Sequence, residues 1–202
     1  MELDEVSLTD GCVTPAGADR IVPPELSDGD LRLRPWRQDD LSALEPVCGD
    51  GAICRFTTVP RTYSATAASA WIARHEHYLA DRISVVLAIE TAASAGPIGT
   101  VWLFAIDDPS RGPRIGCWLA PGERRKGFGS RAVTLLVRWA FEQLDVDAVY
   151  LDSELENRAS RLAIQKLGAA RHSYVRRDVR GASVTLERRI LPRATFARVP
   201  DG

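Results

Sequence analysis

The sequence predicts a mixed α/β domain in which a mostly antiparallel, seven-stranded sheet is flanked by about four helices. Three observations carry that expectation. Short β-rich runs follow one another in pairs, as in Ile83 to Ile89 and Ile98 to Ala105. Stretches with helical spacing of apolar residues separate them, over Ser64 to Arg82 and Asn157 to Leu167. One strand, Arg114 to Leu119, leads through a glycine-containing basic loop into a helix ending near Leu144. At 202 residues, 45% hydrophobic and 26% charged, the chain has room for one packed domain with tails.

Residues 1–29 are rich in Asp, Gly, Pro and Ser and read as a flexible leader, with the domain spanning 30–191 and a tail at 192–202. The alternation Leu31-Arg32-Leu33-Arg34 predicts a half-buried first strand that stops near Pro35-Trp36, and Asp39-Asp40 starts a short helix. Ser64 is placed to cap the next helix, whose apolar positions include Ala67, Ala68, Trp71, Ile72, His75, Tyr78 and Leu79. Ala95-Gly96-Pro97 turns the following pair of strands into a hairpin, and Asp107-Asp108-Pro109 marks another turn. In the helix up to Leu144, Arg131, Thr134, Arg138 and Glu142 form a polar stripe, while Val133, Leu136, Val137 and Ala140 face apolar surroundings. Asp147 to Ser153 is a strand, Gly168 stops the helix after it, and Ala169 to Leu191 forms two antiparallel strands.

Composition narrows the function. A net charge of -1 gives no basic field to draw the chain onto nucleic acid. The acidic start lacks a signal peptide, and no apolar run is long enough for a membrane span, so a cytoplasmic protein without a membrane partner is expected. Cys12, Cys48, Cys54 and Cys117 lack the short paired spacing of a zinc site, and His75 and His77 point to different helix faces, so no metal is expected. The five tryptophans, Trp36, Trp71, Trp102, Trp118 and Trp139, read as packing residues.

The informative stretch is Leu119-Ala120-Pro121-Gly122-Glu123-Arg124-Arg125-Lys126-Gly127-Phe128-Gly129-Ser130. Gly127 and Gly129 allow close backbone approach, and the start of a helix presents unpaired amides to an anion such as a pyrophosphate. On spacing alone, three basic residues on a loop are more often a solvated surface than an anion site. A Walker loop does not fit, because Lys126 precedes the glycine, and a dinucleotide fingerprint requires a third glycine.

Arg124, Gly127 and Gly129 match the motif of the GNAT acetyltransferases, in which Gln or Arg is followed after two residues by Gly and then, one residue on, by Gly or Ala. Ile115 to Pro121 resembles the RimJ/RimL branch, as do Glu156-Asn157-Arg158-Ala159-Ser160 and Lys166-Leu167-Gly168. The resemblance implies the GNAT fold and acetyl-CoA, or another acyl-CoA, as co-substrate. Its pyrophosphate would lie on the amides of Arg124, Arg125, Lys126, Gly127, Phe128, Gly129 and Ser130, with pantetheine along Trp118 and Leu119 and against Asn157. It also implies an amine acceptor, either a protein N-terminus or a small molecule, and families of this kind frequently form homodimers. Ser160 would lie near the cofactor sulfur, with Asp152 or Glu154 as a base for the incoming amine. Many members carry a Tyr seven residues after the Asn; this sequence has Ile164, which removes the usual general acid. Asn157 as a mere helix cap, Ser160 as a small helix residue, and Asp152 and Glu154 as solvated strand residues are the competing readings.

Overall fold

Eight strands, one more than the sequence suggests, make a single sheet in the order β1-β2-β3-β4-β5-β6-β8-β7. The structure, a computed structural model, describes residues 24–57, 59, 61–80, 84–106, 112–179 and 182–196. Most of the expected leader, Cys12 within it, the turn at 107–109 and the end of the tail lie outside the described residues.

The additional strand is β1 (Leu26–Asp28), which pairs antiparallel with β2 (Leu31–Pro35) inside what reads as leader. Asp28-Gly29-Asp30 is the hairpin turn between them, with Gly29 at φ +58. Leu26 packs on the core, and Arg131 holds the turn through ion pairs to Asp28 and Asp30 at 2.9 and 2.8 Å. At the other end, β8 runs to Pro192, and the expected tail begins instead with α6 (Arg193–Phe196), whose Phe196 ring meets Phe141 at 5.5 Å.

The helix expected at Asp39 is a 3-10 helix, Gln38–Leu44, followed by two short helices, α1 (Glu45–Cys48) and α2 (Gly51–Phe56). Asp50 starts α2 by accepting the Ile53 N–H at 2.8 Å. α3 (Ala65–Ala80) begins after Ser64, whose hydroxyl accepts the Ala67 N–H as expected. Strands β3 (Ser84–Thr91), β4 (Gly99–Phe104) and β5 (Arg114–Leu119) extend the antiparallel ladder. α4 (Phe128–Gln143), β6 (Ala148–Glu154), α5 (Arg158–Lys166), β7 (Ala170–Val179) and β8 (Ala182–Pro192) complete the fold.

Strand alternation divides the core in two. Leu33, Leu87, Ile89, Val101, Leu103 and Ile115 face α4, which buries Ala132, Leu136, Val137 and Ala140 completely. Fully burying a Leu or Val of this kind contributes about 1.5–3 kcal/mol, so α4 is fixed firmly to the sheet. The opposite face carries Trp36, Ala88 and Trp118 beneath α3 and the short helices. Trp36 packs against Trp71 at 5.3 Å and Trp118 at 6.3 Å, and donates its indole N–H to Thr100 at 3.0 Å. The tryptophans described in this cluster are packing residues.

Against the Trp71 ring, at 4.3 Å, stands His75, whose two ring nitrogens are buried without a hydrogen-bond partner in the described structure. Burial, with a smaller contribution from Arg74, pushes its pKa down to about 4 from an ordinary 6.5. The unfolded chain therefore takes up a proton before the folded one. Stability is expected to fall as pH drops below 6.5 and to level off below about 4, by at most about 1.4 kcal/mol per pH unit. Urea unfolding at pH 7 and 4.5 measures this, and His75→Phe should remove that component of the slope.

Candidate active site

The parallel pair in the sheet joins at a single point. β5 and β6 meet at Arg114 and Tyr150, with the Tyr150 N–H donating to the Pro113 carbonyl at 2.9 Å, and then diverge toward Leu119 and Glu154. The register of β5 decides which of its amides face the resulting cleft. Ala120 donates its N–H to Ile98, so the even-numbered residues Trp118 and Gly116 spend their amides on β4. The amides of Cys117 and Leu119 consequently point into the cleft. Cys117 is not among the binding residues expected from the sequence; strand alternation back from the β4 pairing is the signal that brings its amide into the candidate site. Trp118, expected to bind as part of the strand, buries its ring in the core beneath α3 and turns its N–H to β4.

From Leu119 the chain turns through a 3-10 turn, Pro121–Glu123, into the basic loop. Arg125 at φ +66 and Gly127 at φ +88 are both left-handed and flank Lys126. Gly127 is the N-cap of α4 and supplies no side-chain cap; the first intrahelical bond is the Arg131 N–H to Gly127 at 3.1 Å. The amides of Phe128, Gly129 and Ser130 therefore lack partners within the helix and point out of its positive end. A Cβ on Gly129 would stand 3.5 Å from Leu119 and 3.7 Å from Cys117, so the first turn of α4 sits directly on the cleft end of β5.

The three basic side chains separate. Arg124 turns back into the protein, donating to the Leu119 carbonyl at 3.0 Å and to Asp50 at 2.8 Å, and so ties the loop to the start of α2. Its hydrogen bond holds the Asp50 carboxyl below the usual carboxylate range. Arg125 is exposed, and Lys126 is half-exposed and pairs with Glu123 at 3.0 Å. These two supply charge beside the open amides.

α5 closes the cleft from the β6 side. Asn157 is its N-cap, the side-chain oxygen accepting the Ser160 N–H at 3.1 Å, so the capping reading is realised. Asn157, Ser160 and Ile164 share one helix face, and Ile164 is buried in the core below.

On β6, Asp152 and Glu154 point to the sheet face away from α4, toward α2, and their surroundings differ. Asp152 accepts two hydrogen bonds from Arg188 at 2.8 Å and one from Arg177 at 3.3 Å, a fully engaged, nearly buried carboxylate. Glu154 has Arg55 of α2 at 3.8 Å, beyond hydrogen-bond range, and Arg55 makes its close contact with Glu156. The Cys117 side chain lies on the α4 face, and burial pushes its thiol up to about 12, which keeps it protonated and non-nucleophilic at neutral pH. Among the described residues no group of three or more His, Cys, Asp or Glu stands together as a metal site, and no helix is long and apolar enough to cross a membrane.

Solved structures share this architecture at low identity. A GCN5-related N-acetyltransferase from Brucella melitensis superposes with a TM-score of 0.75 at 19% identity, covering 89% of this chain and 83% of its own. RimJ from Mycobacterium smegmatis, in complex with CoA-disulfide, gives 0.74 at 16% identity, with 85% and 88% covered. RimL, a ribosomal L7/L12 alpha-N-protein acetyltransferase in complex with coenzyme A, gives 0.72 at 13%, with 83% and 97% covered. These likenesses are of fold. The sequence itself matches the GNAT acetyltransferase domain over residues 30–170, most of its length, and the chain is therefore an N-acetyltransferase of the GNAT family.

Proposed function

We propose that the chain transfers an acetyl group from acetyl-CoA directly to a protein or peptide N-terminus bound on the α2 side of β6. The observation that carries this reading is the single-point junction of β5 and β6, which leaves the Cys117 and Leu119 amides open between two strands and in line with the uncapped start of α4. A linear, amide-containing arm with a diphosphate at one end suits that geometry, and the name of the RimL neighbour, a ribosomal L7/L12 alpha-N-protein acetyltransferase, favours a protein acceptor. Homodimer formation and a cytoplasmic location remain parts of this reading.

In this mechanism the amides of Gly127, Phe128, Gly129 and Ser130 bind the pyrophosphate, with Arg125 and Lys126 adding charge. Arg124 acts through its hold on Leu119 and Asp50, shaping the loop. The Leu119 amide and Asn157 orient the pantetheine arm. The Cys117 N–H donates to the thioester oxygen and stabilises the negative charge that develops there. An α-amine has an ordinary pKa of about 7.7–8, so only part of it is neutral at pH 7, and Glu154 removes the proton released as the C–N bond forms. Asp152, held by Arg188 and Arg177, keeps β6 and β8 in place. The departing thiolate needs one proton. Ser160 supplies it by relay from water; with a thiol pKa near 8.5 the demand on an acid is modest, which is why Ile164 is tolerated where relatives carry Tyr.

Thiol release with acetyl-CoA tests this on three acceptors: peptides with free N-termini, the same peptides blocked at the N-terminus but carrying lysine, and small amines. Turnover confined to free N-termini is expected, and turnover confined to small amines overturns the acceptor assignment. Ser160→Ala should lower kcat about tenfold with KM for acetyl-CoA unchanged. An unchanged kcat would assign the proton to water alone.

A further inference from the structure

On the outer side of α5, turned away from the cofactor cleft, lies a pocket of about 300 Å³ lined by Leu155, Arg158, Arg161, Leu162, Gln165 and Arg189. Its lining has three guanidinium groups and no carboxylate. Arg161 and Arg189 both bind Glu187, at 2.8 and 2.6 Å, and that carboxylate is completely buried beneath them. One anion therefore serves two cations, and Arg158, exposed on the first turn of α5, adds a third. The chain as a whole carries a net charge of -1, so this basic surplus is local.

The same place gathers the large apolar side chains that the fold leaves exposed among the described residues. Leu155 is 41% and Leu162 49% exposed, and both line the pocket. Tyr174, 56% exposed, is opposite Glu187 in the β7–β8 register and so stands on the same sheet face beside the pocket. Glu187 shares its sheet face with Ser153, so the pocket lies on the face opposite to Glu154, and Leu155, the first residue past the end of β6, marks where an acceptor would pass from one face to the other.

We propose that this pocket is an exosite for a protein acceptor, holding an acidic segment that presents leucine-like side chains while the acceptor's N-terminus enters at Glu154. Three guanidinium groups that share one buried carboxylate leave a positive surplus that selects acidic residues, and the two exposed leucines select apolar ones. A nucleic-acid backbone would satisfy the arginines but leave the leucines unused, which is why a peptide is the better occupant. The assignment rests on the reading of the acceptor as a protein; its test is a binding measurement that does not require turnover.

A fluorescein-labelled dodecapeptide with leucines interspersed among glutamates is titrated with the full chain and followed by anisotropy. Arg158→Glu and Leu162→Asp are each expected to weaken binding about tenfold, as is replacing the peptide's leucines by glutamate. Glutamate at residue 158 favours the helix start, so the first variant should fold. Both variants should keep acetyl-CoA affinity and turnover of a free-N-terminus tripeptide too short to reach the pocket. Equal binding by the wild type and both variants overturns the exosite, and so does oligo(U) or coenzyme A displacing the peptide at equal charge concentration. Variant-sensitive peptide binding in a protein that acetylates small amines alone would keep the pocket as a peptide site and remove the acceptor reading instead.

Discussion

Glu154→Gln is expected to lower kcat/KM for a peptide acceptor by about 10²–10³-fold while leaving the affinity for acetyl-CoA within about twofold. The side chain is a near-isostere, so the loss isolates the proton-accepting oxygen from the packing. The proposal puts the role on Glu154 because it faces α2 with Arg55 only at 3.8 Å, in contrast to Asp152 two residues before it. Asp152→Asn should act on stability: it removes the charge that accepts two hydrogen bonds from the largely buried Arg188 guanidinium, and breaking a buried pair costs about 3–5 kcal/mol. Steady-state kinetics and urea unfolding on the two variants separate the roles. A fully active Glu154→Gln would place the base elsewhere.

Gly127→Val is expected to raise the Kd for acetyl-CoA at least about thirtyfold with little change in folding. The cause is conformational, since a Cβ at residue 127 meets nothing within 4 Å. At φ +88 an L-residue costs about 1–2 kcal/mol, and a β-branched one more, so the loop relaxes and α4 loses the aligned amides at its start. Calorimetric titration with acetyl-CoA reads the effect directly, and thermal unfolding checks the fold. Wild-type affinity in this variant would remove the pyrophosphate from the start of α4.

The elements that the sequence foretold are those whose pattern is local. The 3.6-residue spacing of Leu136, Val137 and Ala140, the Ser64 cap and the hairpin around Gly96 each follow from neighbours in the chain, and each is found. β1 was hidden because Asp28-Gly29-Asp30 looks the same at the end of a leader as in a hairpin turn. What makes it a turn is Arg131, roughly a hundred residues away. α2 was hidden although its Asp50 cap was readable, because its short length gives too few apolar positions for periodicity. At the site, the glycines and Asn157 were legible from the motif, but the direction of each group was not. Arg124 turning inward, Trp118 joining the core and Asp152 committed to Arg188 all depend on tertiary partners. Cys117 was within reach, since its open amide follows from the parity of β5 against β4.

The inward turn of Arg124 also joins two halves of the molecule that the chemistry uses separately. Through Asp50 it fastens the basic loop to the N-cap of the helix that carries Arg55, and Arg55 pairs with Glu156 and lies near Glu154. On the proposed reading, an acceptor that drew Arg55 aside would pull on the same guanidinium that shapes the donor site. Donor and acceptor would then share a free-energy linkage, and thermodynamics would make it reciprocal: the factor by which bound acetyl-CoA changed acceptor affinity would be the factor by which acceptor changed that of acetyl-CoA. Arg124→Ala would uncouple the two, turning a cooperative ternary complex into independent occupancy.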